Sequence, residues 1–104
     1  MLIVFTTCPD DEEARSLAKK IVNARLAACV QIIPKITSIY FWEGDVQEES
    51  EYLLLIKTSV EVWENLHDLI VKEHSYSVPE IVGIESTKTS ASYADWLNAY
   101  LGIG

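Results

Sequence analysis

The spacing of apolar residues changes several times along the chain and divides it into strand and helix segments. A short apolar run from Leu2 to Cys8, ended by Pro9, predicts a first strand. Asp10, three residues before Glu13, is a capping pair that predicts the start of a helix. The apolar residues of that helix share one face: Ala14, Leu17, Ala18, Ile21 and Ala28.

The second half of the chain repeats this alternation. Cys29 to Trp42 is rich in β-branched residues, and Pro34 within it predicts a bulge or an edge position. Thr58 and Glu61 form a second capping pair before another helix, and Glu80 to Thr87 is typical of a last strand. The apolar stripe of that second helix consists of Val62, Leu66, Leu69 and Ile70. A closing helix, capped by Ser90 or Ser92, is predicted to carry Tyr93, Trp96, Leu97 and Tyr100.

The segment from Ser38 to Thr58 is the most informative part of the chain. It contains two extended runs separated by a tight acidic turn at Gly44, which predicts a β-hairpin. The run from Tyr52 to Ile56 has no polar residue, so both faces of that strand require burial. Because so small a domain covers one sheet face with helices, we expect another copy of the chain to cover the other face.

The element order is β-α-β-β-α-β with a terminal helix, which predicts an α+β, ferredoxin-like fold with both main helices on one face of an antiparallel sheet. All 104 residues, 1–104, form a single domain on this interpretation. The hairpin of the second and third strands is long for such a domain, and we expect its end to reach a neighbouring copy. A head-to-tail contact of this kind repeats from one copy to the next, so we expect the copies to form a closed ring and not an open chain.

Composition narrows the classes of function. Hydrophobic residues make up 49% of the chain and charged residues 23%, which is typical of a globular domain, and the formal charge of −8 disfavours nucleic acid as a partner. The sequence has no basic leader followed by an apolar core and no apolar run near the roughly 20 residues that span a bilayer, so we expect no signal peptide and no membrane insertion. With two cysteines, we expect reduced thiols and a cytoplasmic location.

Several segments resemble the CutA family, which is associated with divalent-cation tolerance. They extend over almost the whole chain in the family's order: Thr6 to Asp10, Ala24 to Cys29, Ser38 to Tyr40, Trp42 to Gly44, Glu51, Ile56 to Thr58, His74 to Ile81, and Tyr93 with Trp96 and Leu97. The resemblance implies a ferredoxin-like subunit and a tight homotrimer in which strands pair across subunits. Ser75 stands where the family usually has proline, and the segment 88–92 has no glycine.

The resemblance also makes copper the first ion to consider. The cysteine of the family's copper pattern falls on Thr6 here, and its paired histidines fall on Glu73 and His74. His74 is therefore the principal candidate ligand, with Glu73 and Cys8 as additional ones. We expect weak binding of copper or another divalent cation rather than a dedicated site.

A second polar set has the composition of a cleft between subunits: Trp42, Glu51, Lys57, Tyr76 and Glu80. These residues either fix the assembly, with Lys57 pairing Glu51 or Glu80, or bind a small ligand. No order of nucleophile, histidine and carboxylate indicates a nucleophilic enzyme, so a non-enzymatic role is predicted. The alternatives to metal tolerance are a small-ligand-binding signalling trimer and a membrane- or partner-anchoring structural trimer.

Overall fold

The computed structural model describes all residues from Met1 to Gly104. Its elements in chain order are β1 (Leu2–Cys8), α1 (Asp11–Asn23), β2 (Cys29–Trp42), β3 (Asp45–Thr58), a 3₁₀ turn (Val60–Val62), α2 (Trp63–Glu73), β4 (Val82–Glu85) and α3 (Ala91–Leu101). The four strands form one antiparallel sheet in the order β2-β3-β1-β4. This is the predicted α+β arrangement.

Helices α1 and α2 cover one face of the sheet. Their buried residues pack on the side chains of β1 and β3 that alternate toward them, including Val4, Leu54 and Ile56, all fully buried. The central strand run behaves as its composition predicted, since Leu54 and Ile56 enter this core while Leu53 and Leu55 are directed to the opposite face, where they are half-buried.

The opposite face, called here the open face, carries an apolar surface that no helix pair covers. Register places Ile33 of β2 and Val82 and Ile84 of β4 on it, with 42%, 47% and 52% of their surface exposed. The two edge strands β2 and β4 bound this surface. Apolar area of this kind is typical of a surface that another protein chain covers.

The β2–β3 hairpin extends beyond the rest of the sheet. The last pair between β1 and β3 is Cys8 with Tyr52, so residues 36–51 pair only within the hairpin. Pro34 lies in the bulge that shifts the register between Ile33 and Ile36, as the sequence predicted. Glu43 and Gly44 close the turn with φ values of 51° and 81°, the left-handed pair that suits a two-residue hairpin.

Three sequence-based boundaries were wrong. Helix α1 ends at Asn23, so Ala28 is outside it; Arg25 adopts a φ of 57°, which a right-handed helix cannot continue through. Strand β4 covers only Val82–Glu85, because its pairing with β1 stops there. The third boundary concerns the start of the second helical segment.

Ser59, and not Thr58, caps that segment. The Ser59 hydroxyl accepts from the N–H of Glu61, while the Thr58 hydroxyl is fully buried and donates to the carbonyl of Leu26 at 2.7 Å. Thr58 still belongs to β3, where its side chain faces the helices. At the other end of the chain, Ser90 caps α3 by accepting from the N–H of Tyr93, in agreement with one of the two predicted caps.

Candidate functional site

A cleft of about 680 Å³ opens on the sheet where the hairpin leaves β1. One wall is the hairpin face that carries Tyr40, Trp42, Glu49 and Glu51, and the facing wall is the loop between α2 and β4. That loop contributes Tyr76 and Glu80. The volume is in the range of small-molecule sites.

Glu51 and Tyr76 join the two walls. The Tyr76 hydroxyl donates to Glu51 Oε2 at 2.8 Å, and Glu51 is only 6% exposed. Burial, reinforced by the hydrogen bond to the Glu51 carboxylate, raises the pKa of Tyr76 well above its usual value. The phenol therefore remains a hydrogen-bond donor across the physiological pH range.

The path of the chain explains why these residues meet. Helix α2 begins where β3 ends and carries the chain back along the sheet, so its far end lies beside the middle of β3, near Tyr52, and the end of β1. Tyr76 and Glu80 follow that helix end and therefore reach Glu51. Lys57 is six residues from Glu51 on the same strand, about 20 Å away.

Lys57 consequently does not line the cleft of its own chain. Its ammonium group donates to Gln31 Oε1 at 2.8 Å, and the expected ion pairs with Glu51 or Glu80 are not formed within the chain. Sequence reasoning expected Lys57, at the end of β3, to lie near Tyr76, on the loop before β4, but the two residues lie at opposite ends of the sheet. The other four predicted cleft residues are all in its lining.

A second cluster lies where β1 ends, close to the cleft. Donor atoms of Cys8, Glu13 and His74 are all within 4.8 Å of one another, which is a separation suited to one metal ion. Cys8 ends β1, Glu13 is in the first turn of α1, and His74 follows α2. The sequence identified Cys8 and His74 but missed Glu13, although its role in the Asp10 capping pair was visible.

Every polar atom of the His74 ring has a protein partner. Nε2 lies 2.7 Å from the carbonyl of Thr7, and Nδ1 accepts from the N–H of Tyr76 at 3.1 Å. These partners select the tautomer with the proton on Nε2. Glu13 Oε2 lies 3.4 Å from Nδ1 and also accepts from the N–H of Ser75. A metal at Nδ1 has to displace the Tyr76 N–H.

Cys8 is held as a thiol. Burial raises its pKa to about 12, and the carboxylates of Glu13, Asp10 and Glu51 act in the same direction. Its Sγ lies 3.9 Å from His74 Nε2. A thiol with this pKa is neither a ready nucleophile nor a preformed metal ligand, because both roles require the thiolate.

Glu73 is outside this cluster. Its carboxylate forms an ion pair with Lys20 at 3.0 Å on the surface between α1 and α2, and the hydrogen bond from Lys20 lowers the pKa of Glu73. The last turn of α2 directs Glu73 toward α1 and leaves His74, the next residue, directed inward. Glu13 thus supplies the carboxylate that the sequence had assigned to Glu73.

The sequence matches the family model described as CutA1 divalent ion tolerance protein over residues 2–100. The chain belongs to the CutA1 family. It is 44% identical over 100 residues to the divalent-cation tolerance protein CutA of Thermus thermophilus, with 96% of this chain and 97% of that protein covered. A solved structure of the divalent cation tolerance protein from Thermus thermophilus superimposes with a TM-score of 0.93 at 43% identity over the full length of both chains.

The plant relative is longer. The chloroplastic CutA protein of Arabidopsis thaliana is 44% identical over 96 residues, which are 92% of this chain and 53% of that protein, so the chain spans about half of its length. In this member of the CutA1 family, no helix has both the length and the apolar character needed to cross a membrane.

Two positions of this CutA1-family chain depart from the copper pattern that the resemblance implies, Thr6 in place of the cysteine and Glu73 in place of the first histidine. Thr6 occupies the place of that pattern's cysteine; its side chain is fully buried on the helix-facing side of β1, and its hydroxyl has no hydrogen-bond partner. Cys8, two residues further along the same face, is the sulfur that reaches His74.

Proposed function

We propose that this chain is a non-enzymatic, homotrimeric divalent-cation tolerance protein that binds copper or another divalent cation weakly. The observation that carries the metal proposal is the convergence of Cys8, Glu13 and His74 within 4.8 Å, in a chain whose family is named for divalent-ion tolerance. Imidazole, thiolate and carboxylate together are a donor set that copper and zinc accept.

The geometry favours weak and pH-dependent binding. The ion has to remove the proton of the Cys8 thiol, whose pKa of about 12 opposes this, and has to displace a partner of the His74 ring, which is the Tyr76 N–H at Nδ1 or the Thr7 carbonyl at Nε2. Affinity therefore increases as the pH rises from 6 to 8. Access is from the side of Glu13, the one member of the cluster with appreciable side-chain exposure, at 21%.

Calorimetric titration with copper tests this proposal. Glu13→Gln removes one ligand charge while its amide oxygen can still accept from Ser75, and we expect the dissociation constant to rise roughly tenfold or more. Glu12→Gln is the matched control, because Glu12 is the exposed neighbour in the same helical turn. Absence of heat from the unmutated protein, or equal binding by Glu13→Gln, contradicts the proposal.

We propose a homotrimer because the family resemblance implies one, and two surfaces of the single chain are available for neighbouring copies to cover: the apolar open face and the hairpin that pairs only with itself over residues 36–51. An isolated two-stranded hairpin is marginally stable in water. Sedimentation at micromolar concentration is expected to give three times the chain mass, and a monomer contradicts this. A cytoplasmic location is proposed with it, since both cysteines are free.

The cleft supports a second candidate, a trimer that binds a small ligand as a signal. Its support is the 680 Å³ volume together with the hydrogen bond inside it between the half-buried Tyr76 and the buried Glu51. A screen of metabolites by thermal shift tests this candidate. A bound metabolite raises the unfolding midpoint, and the increase is lost in Glu80→Ala; a flat response across the screen argues against a ligand.

A further inference from the structure

We propose that the cleft takes a small organic cation that carries a primary ammonium or guanidinium group. This inference rests on the second proposed function, that the cleft binds a ligand, and names the class of that ligand. Its starting point is the charge of the lining: Glu49, Glu51 and Glu80 all contribute carboxylates, and the lining contains no lysine, arginine or histidine. An anion is repelled by such a surface.

Glu51 supplies a specific anchor. The carboxylate is 6% exposed, its Oε2 accepts from Tyr76, and its Oε1 accepts no hydrogen bond within the chain yet is not sealed from solvent. A largely buried carboxylate oxygen without a donor is costly. A ligand N–H⁺ placed at Oε1 supplies both the missing donor and the compensating charge, which a neutral hydroxyl does only in part.

The aromatic residues of the cleft suit the same class of ligand. Tyr40 and Trp42 stand on the same hairpin face as Glu49 and Glu51, and Tyr76 faces them from the loop. Aromatic ring faces attract alkylammonium and guanidinium groups and pack on the methylene groups that bear them. Three carboxylates with three aromatic rings thus resemble sites for amines more than sites for sugars or phosphates.

A metal ion fits this cleft less well than an organic cation. Cys8, Glu13 and His74 are the set of three side chains whose donor atoms gather around one point, and the three cleft carboxylates do not form such a set. Hard metal ions need several oxygens at short range. Separated carboxylates instead suit a linear molecule with two cationic groups that reaches more than one of them.

Thermal shift and calorimetry with putrescine and spermidine test the inference. We expect both amines to raise the unfolding midpoint and 1,4-butanediol, a diol of similar length, to leave it unchanged. Glu51→Gln is expected to weaken binding about tenfold or more, while its amide oxygen still accepts from Tyr76. Glu48→Gln is the matched control, since it removes the same charge three residues earlier in β3, on the other hairpin face.

Other outcomes overturn the inference. If Glu51→Gln binds the amines as tightly as the unmutated protein, or if magnesium chloride of the same ionic strength raises the unfolding midpoint equally, the increase is due to general charge screening. If a neutral or anionic metabolite binds and its binding is lost in Glu80→Ala, the proposal of a ligand-binding cleft stands, but the proposal that the ligand is a cation is wrong. If the Glu51→Gln trimer dissociates and the protein shows no response to amines, the role of Glu51 is in assembly and not in ligand binding. Copper titration of Glu51→Gln reports on the metal proposal separately.

Discussion

At the scale of single residues, His74 links the two candidate sites. Its ring holds the end of β1 through Thr7 and the cleft loop through the N–H of Tyr76, and the His74 and Tyr76 rings lie 4.8 Å apart. The sequence marked His74 as the principal candidate ligand. It could not show that both ring nitrogens already have partners, because Thr7 and Tyr76 reach them only through the folded arrangement of three elements.

Cys8 leads to a prediction about alkaline pH. Its pKa is raised in the folded protein from an ordinary value near 9.0 to about 12. The stabilisation from keeping the thiol protonated is therefore complete below about pH 9 and is lost as the pH rises toward 12. We expect the unfolding midpoint of the unmutated protein to fall more steeply between pH 8.5 and 10.5 than that of Cys8→Ala.

Both proteins in this comparison share all tyrosines and lysines, so the difference between their pH profiles isolates the thiol. Parallel profiles contradict the assignment. Labelling provides a second measurement: in a Cys29→Ser background, iodoacetamide at pH 7.5 is expected to modify Cys8 only after unfolding, because Cys8 is fully buried when folded.

At the scale of elements, local signals predicted the helix starts better than the helix ends. Asp10 was readable as a cap because one short segment contains the whole interaction, and its side chain accepts from the N–H of Glu13 at 2.8 Å. The end of α1 was not readable, because Arg25 holds the left-handed position at which a helix end usually has glycine, while the N–H groups of Arg25 and Leu26 donate to the carbonyls of Val22 and Ile21.

The Asp10 cap can be tested by substitution. Asp10→Ala is expected to lower the free energy of unfolding by about 1 kcal/mol, because an N–H of the first turn loses its acceptor. Asp10→Asn retains most of that energy. Asp11→Ala serves as the control, since it removes only an exposed pair with Arg15, worth about 0.3–0.5 kcal/mol.

Denaturant unfolding at one fixed protein concentration measures these values, since assembly contributes to the stability of an oligomer. An Asp10→Ala loss no larger than that of Asp11→Ala shows that the cap is not significant. A copper titration of Asp10→Ala also shows whether the start of α1 positions Glu13 for the metal cluster.

At the scale of the whole molecule, the hairpin is the part that the single chain leaves unsupported. Its outer face, opposite to the one that carries Tyr40 and Glu51, exposes Ile39, Phe41 and Val46 at 66%, 71% and 65%, and Ile39 also borders the cleft. The chain is elongated as a result, with extents of 46 × 26 × 22 Å. Three neighbouring apolar side chains of this exposure are typical of a surface that meets another chain.

This surface gives a prediction about assembly. The double substitution Phe41→Ser with Val46→Ser is expected to shift the protein toward smaller species at micromolar concentration, because apolar area buried on association is lost. Light scattering coupled to size exclusion measures the mass. Val71→Ser, on an exposed residue of α2 (50%) outside the cleft lining, is the control and is expected to leave the mass unchanged. An unchanged mass for the double variant excludes this face as the contact.

The sequence alone determined the order of elements, the helix start at Asp10 and the two-faced burial demand of the Tyr52–Ile56 run, and it narrowed the cap of the closing helix to Ser90 or Ser92 and the role of Pro34 to a bulge or an edge position. Each of these depends on neighbouring residues or on periodicity within one segment. The tertiary structure alone decided that Glu13 rather than Glu73 joins Cys8 and His74, and that Lys57 lies away from Glu51. These positions depend on the direction in which α2 crosses the sheet and on the side of its last turn to which Glu73 and His74 point. The packing of α2 against elements far away in the chain determines that direction and that side.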